Sequence, residues 1–344
     1  MTMTTTETTG YAVADAEQPL WLGRVPAAWA DVVRSVDPAQ VQDAASMVAA
    51  AGLGWTVEQH PLEAVLHREY QAVRVPVPRH VANVRSDTRT VLGVVGDGYE
   101  PLQNVAAFAF CDAITDSGRA HWIGAGATRG GARVHALMRL DREIRIGGAE
   151  GEDVLPLLCF RNGHDGGLAV TVSVAPFRLA CLNGMLLPIE NAQRTWKARH
   201  TAHVEARLVD SRRTLGIAWR YYDELEELGG RLIREPIGEG EFERFLARLV
   251  PLPDPVPDEG GRVVRNVERV RDAIRTAYRA APDLDAVRGT RWGALQAVTA
   301  YVDHVQPTRR TATRTEAEAR FERATEAQPF KDRALALLAE GGDR

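Results

Sequence analysis

Apolar positions change their spacing along the chain, and the changes divide it into a β-rich front and a helical back. Val41, Ala44, Ala45, Val48 and Ala49 recur at helical spacing behind Asp37 and Pro38 and stop at Gly52. That pattern predicts a leading helix with Asp37 as its cap and Pro38 at its first position. From Gly54 the texture becomes that of strands, at 55–65, 71–77, a proline-bounded piece at 80–85, and a β-branched run at 91–95 ended by Gly96-Asp97-Gly98. Asn104 stands where it would cap a helix over 105–117, closed by Gly118, with Phe108, Ala109, Cys111 and Ile114 on a largely apolar face. Residues 121–125 and 132–140 alternate like a hairpin around Thr128-Arg129-Gly130-Gly131. The stretch 142–146 runs on to a glycine-rich turn, and 154–161 with 168–176 form a second antiparallel pair across 163–167.

After Asn183 the period turns helical. Val204, Leu208, Leu215, Ala218, Tyr222, Leu225 and Leu228 share a stripe over 200–233, which Gly229-Gly230 frays. Further helices are expected at 242–249, 262–280 and 290–304, with 251–261 as an exposed loop. From Thr311 the chain is highly charged, with Phe321 and Phe330 as its docking points. Strands come in antiparallel clusters rather than singly between helices, so the expected class is α+β. It is an antiparallel β-sheet core with a helix packed across it, followed by a mainly helical C-terminal half. The expected divisions are a disordered tail over 1–18, a β-rich core over 19–200, a helical region packed on it over 201–305, and a charged tail over 306–344.

Composition narrows the class. Apolar content of 45% and charged content of 26% are those of a globular protein. No apolar run approaches the roughly 20 residues of a bilayer span, and the N-terminal stretch lacks a secretory pattern. The expectation is a cytoplasmic protein with no membrane segment. Cys111, Cys159 and Cys181 lie in apolar surroundings and read as reduced thiols. The formal net charge is −4, and Lys197 and Lys331 are the only lysines, so positive charge is almost entirely arginine.

Signatures of chemistry are sparse. There is no CxxC pair or HExxH helix, so no metal is expected. The glycine-rich stretch 124–131 lacks the Gly-Lys-Ser/Thr of a phosphate loop, so no nucleotide cofactor is expected. Ser173 and the cysteines have no strained elbow or evident base, and no catalytic residue is assigned. His164-Asp165, within Asn162-Gly163-His164-Asp165-Gly166-Gly167, reads as a hairpin turn, a ligand or nucleic-acid contact, or a catalytic pair. Basic residues concentrate at Arg178, Arg194, Lys197 and Arg199 and continue through Arg207, Arg212, Arg213 and Arg220, with Trp196 among them. That combination fits a groove where cations meet phosphates and a base stacks on an aromatic ring, and equally a solvated helix face laced with ion pairs.

Several motifs occur together. Val91-Leu92-Gly93-Val94-Val95-Gly96-Asp97-Gly98-Tyr99-Glu100-Pro101-Leu102-Gln103-Asn104 is followed by the turn Asn162-Gly163-His164-Asp165-Gly166 and by Pro176-Phe177-Arg178-Leu179-Ala180-Cys181-Leu182-Asn183. Arg199-His200-Thr201 and the run from Gly289 through Trp292 to His304 complete the set. Together they resemble the phage/plasmid-like protein family, domain of unknown function 932, over roughly 55–305. Gly184 and Gln296 depart from the family's usual Thr and Asn.

The resemblance implies DNA metabolism, and strands with a helix laid across them look like the core of single-strand annealing proteins of the RecT and Redβ kind. The expected function is binding and annealing of single-stranded DNA in phage/plasmid-type recombination, without catalysis, through a basic groove in a homo-oligomeric ring or filament. Arg178, Arg194, Lys197 and Arg199 are the expected phosphate contacts and Trp196 the stacking platform, with Arg129, Arg133, Arg161 and His164 as a second set. The alternative is a protein-interaction or regulatory factor of a mobile element that binds no nucleic acid.

Overall fold

Two antiparallel sheets organise the front half in the computed structural model, which describes residues 29–37, 39–68, 71–148, 151–181, 183–189, 192–198, 211–254, 261–308 and 311–340. In the larger sheet β1 (Arg34–Ser35) lies outermost; β2 (Val57–Arg68), β3 (Gln71–Arg85) and β4 (Val91–Gly96) form a separate small sheet in that order. The larger sheet continues with β5 (Ala120–Thr128), β6 (Arg133–Leu140), β8 (Glu152–Gly163), β9 (Val170–Arg178) and β10 (Thr195–Ala198), and β7 (Ile144–Ile146) also pairs with β8.

Side chains alternate across a strand, so each long strand supplies two faces. Val134, Ala136, Met138, Leu158, Phe160, Val172 and Val174 belong to the larger core, with residues of α1 (Ala44–Ala50), α2 (Asn104–Thr115) and α3 (Ser211–Arg234). Phe108 of α2 meets Phe160 edge-on at 5.6 Å. Leu137, Leu157, Cys159, Ala175 and Phe177 form a second core with Trp29, Val32, Val33, Phe321 and Ala324. Sheet residues buried on both faces explain the near-continuous apolar runs of β8 and β9, at about 1.5–3 kcal/mol for each fully buried large side chain.

The helical half contains α4 (Glu239–Leu249), α5 (Arg262–Ala280), α6 (Arg291–Ala300), α7 (Glu316–Thr325) and α8 (Pro329–Ala339). Every residue of α6 is buried, which places it at the centre of this half, and it runs on into a π-helical turn over Tyr301–Val305. The expected class and arrangement, an antiparallel core crossed by a helix and followed by helices, is the observed one.

Several local expectations differ from the structure. The leading helix begins at Ala44, capped by Asp43 in a reciprocal box with Ser46, while the Asp37 carboxylate instead accepts from the Ala39 N–H at 3.0 Å. Asn104 is not a cap: Gln103 precedes α2, and Asn104 is buried with other partners. The pieces at 71–77 and 80–85 are one strand, interrupted opposite Leu62 where the register with β2 shifts. The charged stretch after 306 contains α7 and α8, whose Phe321, Leu335 and Leu338 are buried. The tail over 1–18, Pro38 and the stretch 199–210 lie outside the described residues.

Candidate nucleic-acid interface

The turn between β8 and β9 is a clasp. Asn162 donates through Nδ2 to the Leu102 carbonyl at 2.9 Å, and the Tyr99 hydroxyl donates to the Gly163 carbonyl at 2.6 Å. His164 Nε2 lies 3.0 Å from Asn104 Oδ1, while Asn104 Nδ2 donates to the Leu53 carbonyl at 2.8 Å. Asn83 of β3 donates to the His164 carbonyl at 2.8 Å. The Gln103 amide accepts from the Val57 N–H at 2.9 Å and donates to the Val57 carbonyl at 3.0 Å, imitating a paired strand. A Cβ on Gly93 would stand 2.6 Å from Asp165 Cα, so only glycine lets β4 lie against this turn.

Of the three readings of His164-Asp165, this geometry is that of the turn. His164 has no exposed surface, which removes it from the expected nucleic-acid contacts. Asp165 receives the Gly167 N–H at 2.8 Å and Arg133 at 3.3 Å.

Arg178 corrects the first expected set most clearly. It is 1% exposed. Its guanidinium donates to Glu152, at 2.8 Å through Nε, and to the Asp283 carboxylate at 2.7 Å. Trp292 Nε1 shares Glu152 at 2.7 Å. A fork committed to two carboxylates inside the protein joins β8, β9 and the helical half, and has no donor to offer a phosphate. Beside it, Asn183 Oδ1 lies 3.0 Å from His304 Nε2, and Asp303 holds both Lys331, at 2.7 Å, and the Gly184 N–H, at 2.8 Å. Burial holds His304 below its ordinary pKa and pushes the Cys181 thiol up to about 12, far from a thiolate nucleophile.

The second set meets α7. Arg129 adopts a φ of 55°, which aims its N–H at Glu318 at 2.8 Å, and its side chain pairs with Glu322 at 3.2 Å. Arg133 lies 3.7 Å from the same Glu322. Arg161, 6% exposed, donates to Ser173 at 3.2 Å and to the Thr325 carbonyl. Nearby His135 is buried, and burial with Arg161 beside it drives its pKa down to about 3. These cations dock α7 onto the sheet.

Among the described residues β10 is an outer strand of the larger sheet, and the remaining expected contacts lie on or beside it. Arg194, just before it, forms a two-pronged pair with Asp332 at 2.8 and 2.9 Å, and those hydrogen bonds raise its pKa. Trp196 is half-buried and stacks on Phe110 at 5.7 Å and 9°. Lys197 is exposed, directly opposite Thr171 of β9. Alternation points Trp196 and Lys197 to opposite sides of the strand. Arg199 lies outside the described residues. Thus Arg194, Trp196 and Lys197 come together along one edge, while Arg129, Arg133, Arg161, His164 and Arg178 belong to interior seams.

Sequence reasoning missed the partners: Glu152, Asp283, Glu322, Asp303 and the buried Lys331. Each lies far along the chain from the group it holds, Asp283 standing 105 positions after Arg178 and Glu322 standing 193 after Arg129, so no local spacing signals it. Among the described residues no group of three or more His, Cys, Asp or Glu side chains could hold a metal, and no helix is long and apolar enough to cross a membrane.

Fold and seams together define an α+β protein in which the most recognisable motifs hold two sheets and a helical half to one another. The chain belongs to the family described as Domain of unknown function (DUF932), whose model matches residues 91–325. Neither the curated proteins nor the solved structures yield a match.

Proposed function

We propose that this chain binds single-stranded DNA and promotes strand annealing, with the β10 edge as its contact surface and no covalent chemistry of its own. One observation carries the reading: a half-exposed tryptophan and an exposed lysine are consecutive on β10, an outer strand of the larger sheet among the described residues, so that its two faces offer the stacking platform and the phosphate contact that single strands use. The order of three antiparallel strands followed by α2 supports the likeness to annealing proteins as an analogy of fold. In this reading the seams fix the edge in place, and Arg194, tied to Asp332, stiffens the strand next to the contact.

The test is fluorescence anisotropy with a labelled single-stranded oligonucleotide over a range of salt concentrations. Binding is expected to weaken steeply with salt, and Lys197→Ala to lower the slope of log affinity against log salt by about 0.7 for its one lost phosphate contact. Lys197 is exposed, so the variant keeps the fold. An unchanged slope removes the β10 edge from the interface. The alternative, an interaction factor without nucleic-acid binding, is favoured by the exposed apolar side chains of the small sheet and predicts no binding even at low salt.

A further inference from the structure

We infer that Asp332 of α8 stands in for a phosphate, and that a single strand stacking on Trp196 takes Arg194 from it. The inference rests on the reading of β10 as a single-strand contact and concerns how that contact is regulated.

Alternation decides which cation can serve the tryptophan. Lys197 lies on the opposite face of β10 from Trp196. The Val174 N–H donates to the Arg194 carbonyl at 3.1 Å, so pairing with β9 continues one residue ahead of β10. Arg194 therefore shares the face of Trp196, two residues and about 6–7 Å along the strand. A base stacked on the ring brings its own backbone to that side, where Arg194 is the cation at hand.

In the free chain that cation is committed. Its two terminal nitrogens meet both Asp332 oxygens, at 2.9 and 2.8 Å, in the planar fork with which arginine also grips a phosphate. The commitment differs from those in the interior seams. The two side chains are 24% and 26% exposed, against 1% for Arg178 and 8% for Arg161. Asp332 also lines a cavity of about 450 Å³ between α3 and α8, shared with Glu224, which gives the carboxylate room to turn away. α8 itself stays docked, because the neighbouring Lys331 is buried against Asp303 at 2.7 Å and Leu335 and Leu338 are buried. Arg194 Nη1 keeps the Leu186 carbonyl, at 3.2 Å, while its acidic partner changes. Opening the pair subtracts from the binding free energy, so Asp332 sets how strongly a strand must bind before Arg194 joins the contact.

The experiment is a salt series of anisotropy titrations on the full chain with a labelled single-stranded oligonucleotide. Asp332→Ala should bind several-fold tighter than wild type at low salt, with a slope of log affinity against log salt steeper by about 0.7 for the phosphate gained. Asp332→Asn, which keeps the size of the side chain, guards against a loosened α8 and should shift both quantities the same way. Adding Arg194→Ala to Asp332→Ala should abolish the gain. Glu224→Gln, the same change of charge on the same cavity, should leave the slope where it was. A gain that survives Arg194→Ala, or an equal one from Glu224→Gln, comes from net charge alone and overturns the proposal. So does wild-type binding that Asp332→Ala leaves unchanged. No binding by the wild type or any variant at low salt overturns the reading of β10 itself, and the proposal with it.

Discussion

Removing the Arg178 guanidinium leaves the carboxylates of Glu152 and Asp283 without their shared partner in a nearly dry site. Breaking a buried pair from one side costs about 3–5 kcal/mol, because the desolvated charge left behind has nothing to meet it. Arg178→Ala is therefore expected to lower the free energy of unfolding from urea titration by that much. Arg178→Lys, which keeps the charge but loses the planar fork, should recover only part of it. Loss of oligonucleotide binding with full stability would instead make Arg178 a ligand contact. The motif around Arg178 was legible as a motif. Its role was not, since a basic residue reads alike in sequence whether it faces solvent or a carboxylate that folding brings from 105 residues away. Trp196 and Lys197 are adjacent on β10 as they are in sequence, but strand alternation sends their side chains to opposite faces, which a reading by proximity in sequence leaves out.

At the scale of elements, the small sheet is fastened to the larger one by Gly93, Asn83, Gln103 and the β8–β9 turn. Gly93→Ala forces a methyl group into the Asp165 backbone. It should cost about 1–3 kcal/mol through overpacking and speed amide exchange across β2, β3 and β4 more than across β8 and β9. Uniform change over both sheets would show that the contact does not hold the small sheet specifically. Period and turn chemistry made most elements readable, and α5 has the expected bounds. Two features were unreadable for one reason. The burial of Asn104 and the docking of α7 are decided by long-range packing, which overrides local preference. The cap of α1 is instead a local box of Asp43 and Ser46, a signal the sequence carries three residues apart and the choice of Asp37 passed over. Glu318 and Glu322 look like a solvated charge run in sequence, yet they receive Arg129 and Arg133 from the sheet.

For the whole molecule, a net charge of −4 argues against general attraction to polyanions, and most of the arginines that promised a groove are spent on internal pairs. In the proposed reading the nucleic-acid contact is local, at β10, and is reached by a single strand whose bases are free to stack. Hydrogen exchange on the full chain, with and without a single-stranded oligonucleotide, tests that claim most directly. The account predicts added protection in peptides covering 170–198 and little change around the Arg178 cluster or the β8–β9 turn. Protection centred on either of those seams, or none anywhere at low salt, would contradict it.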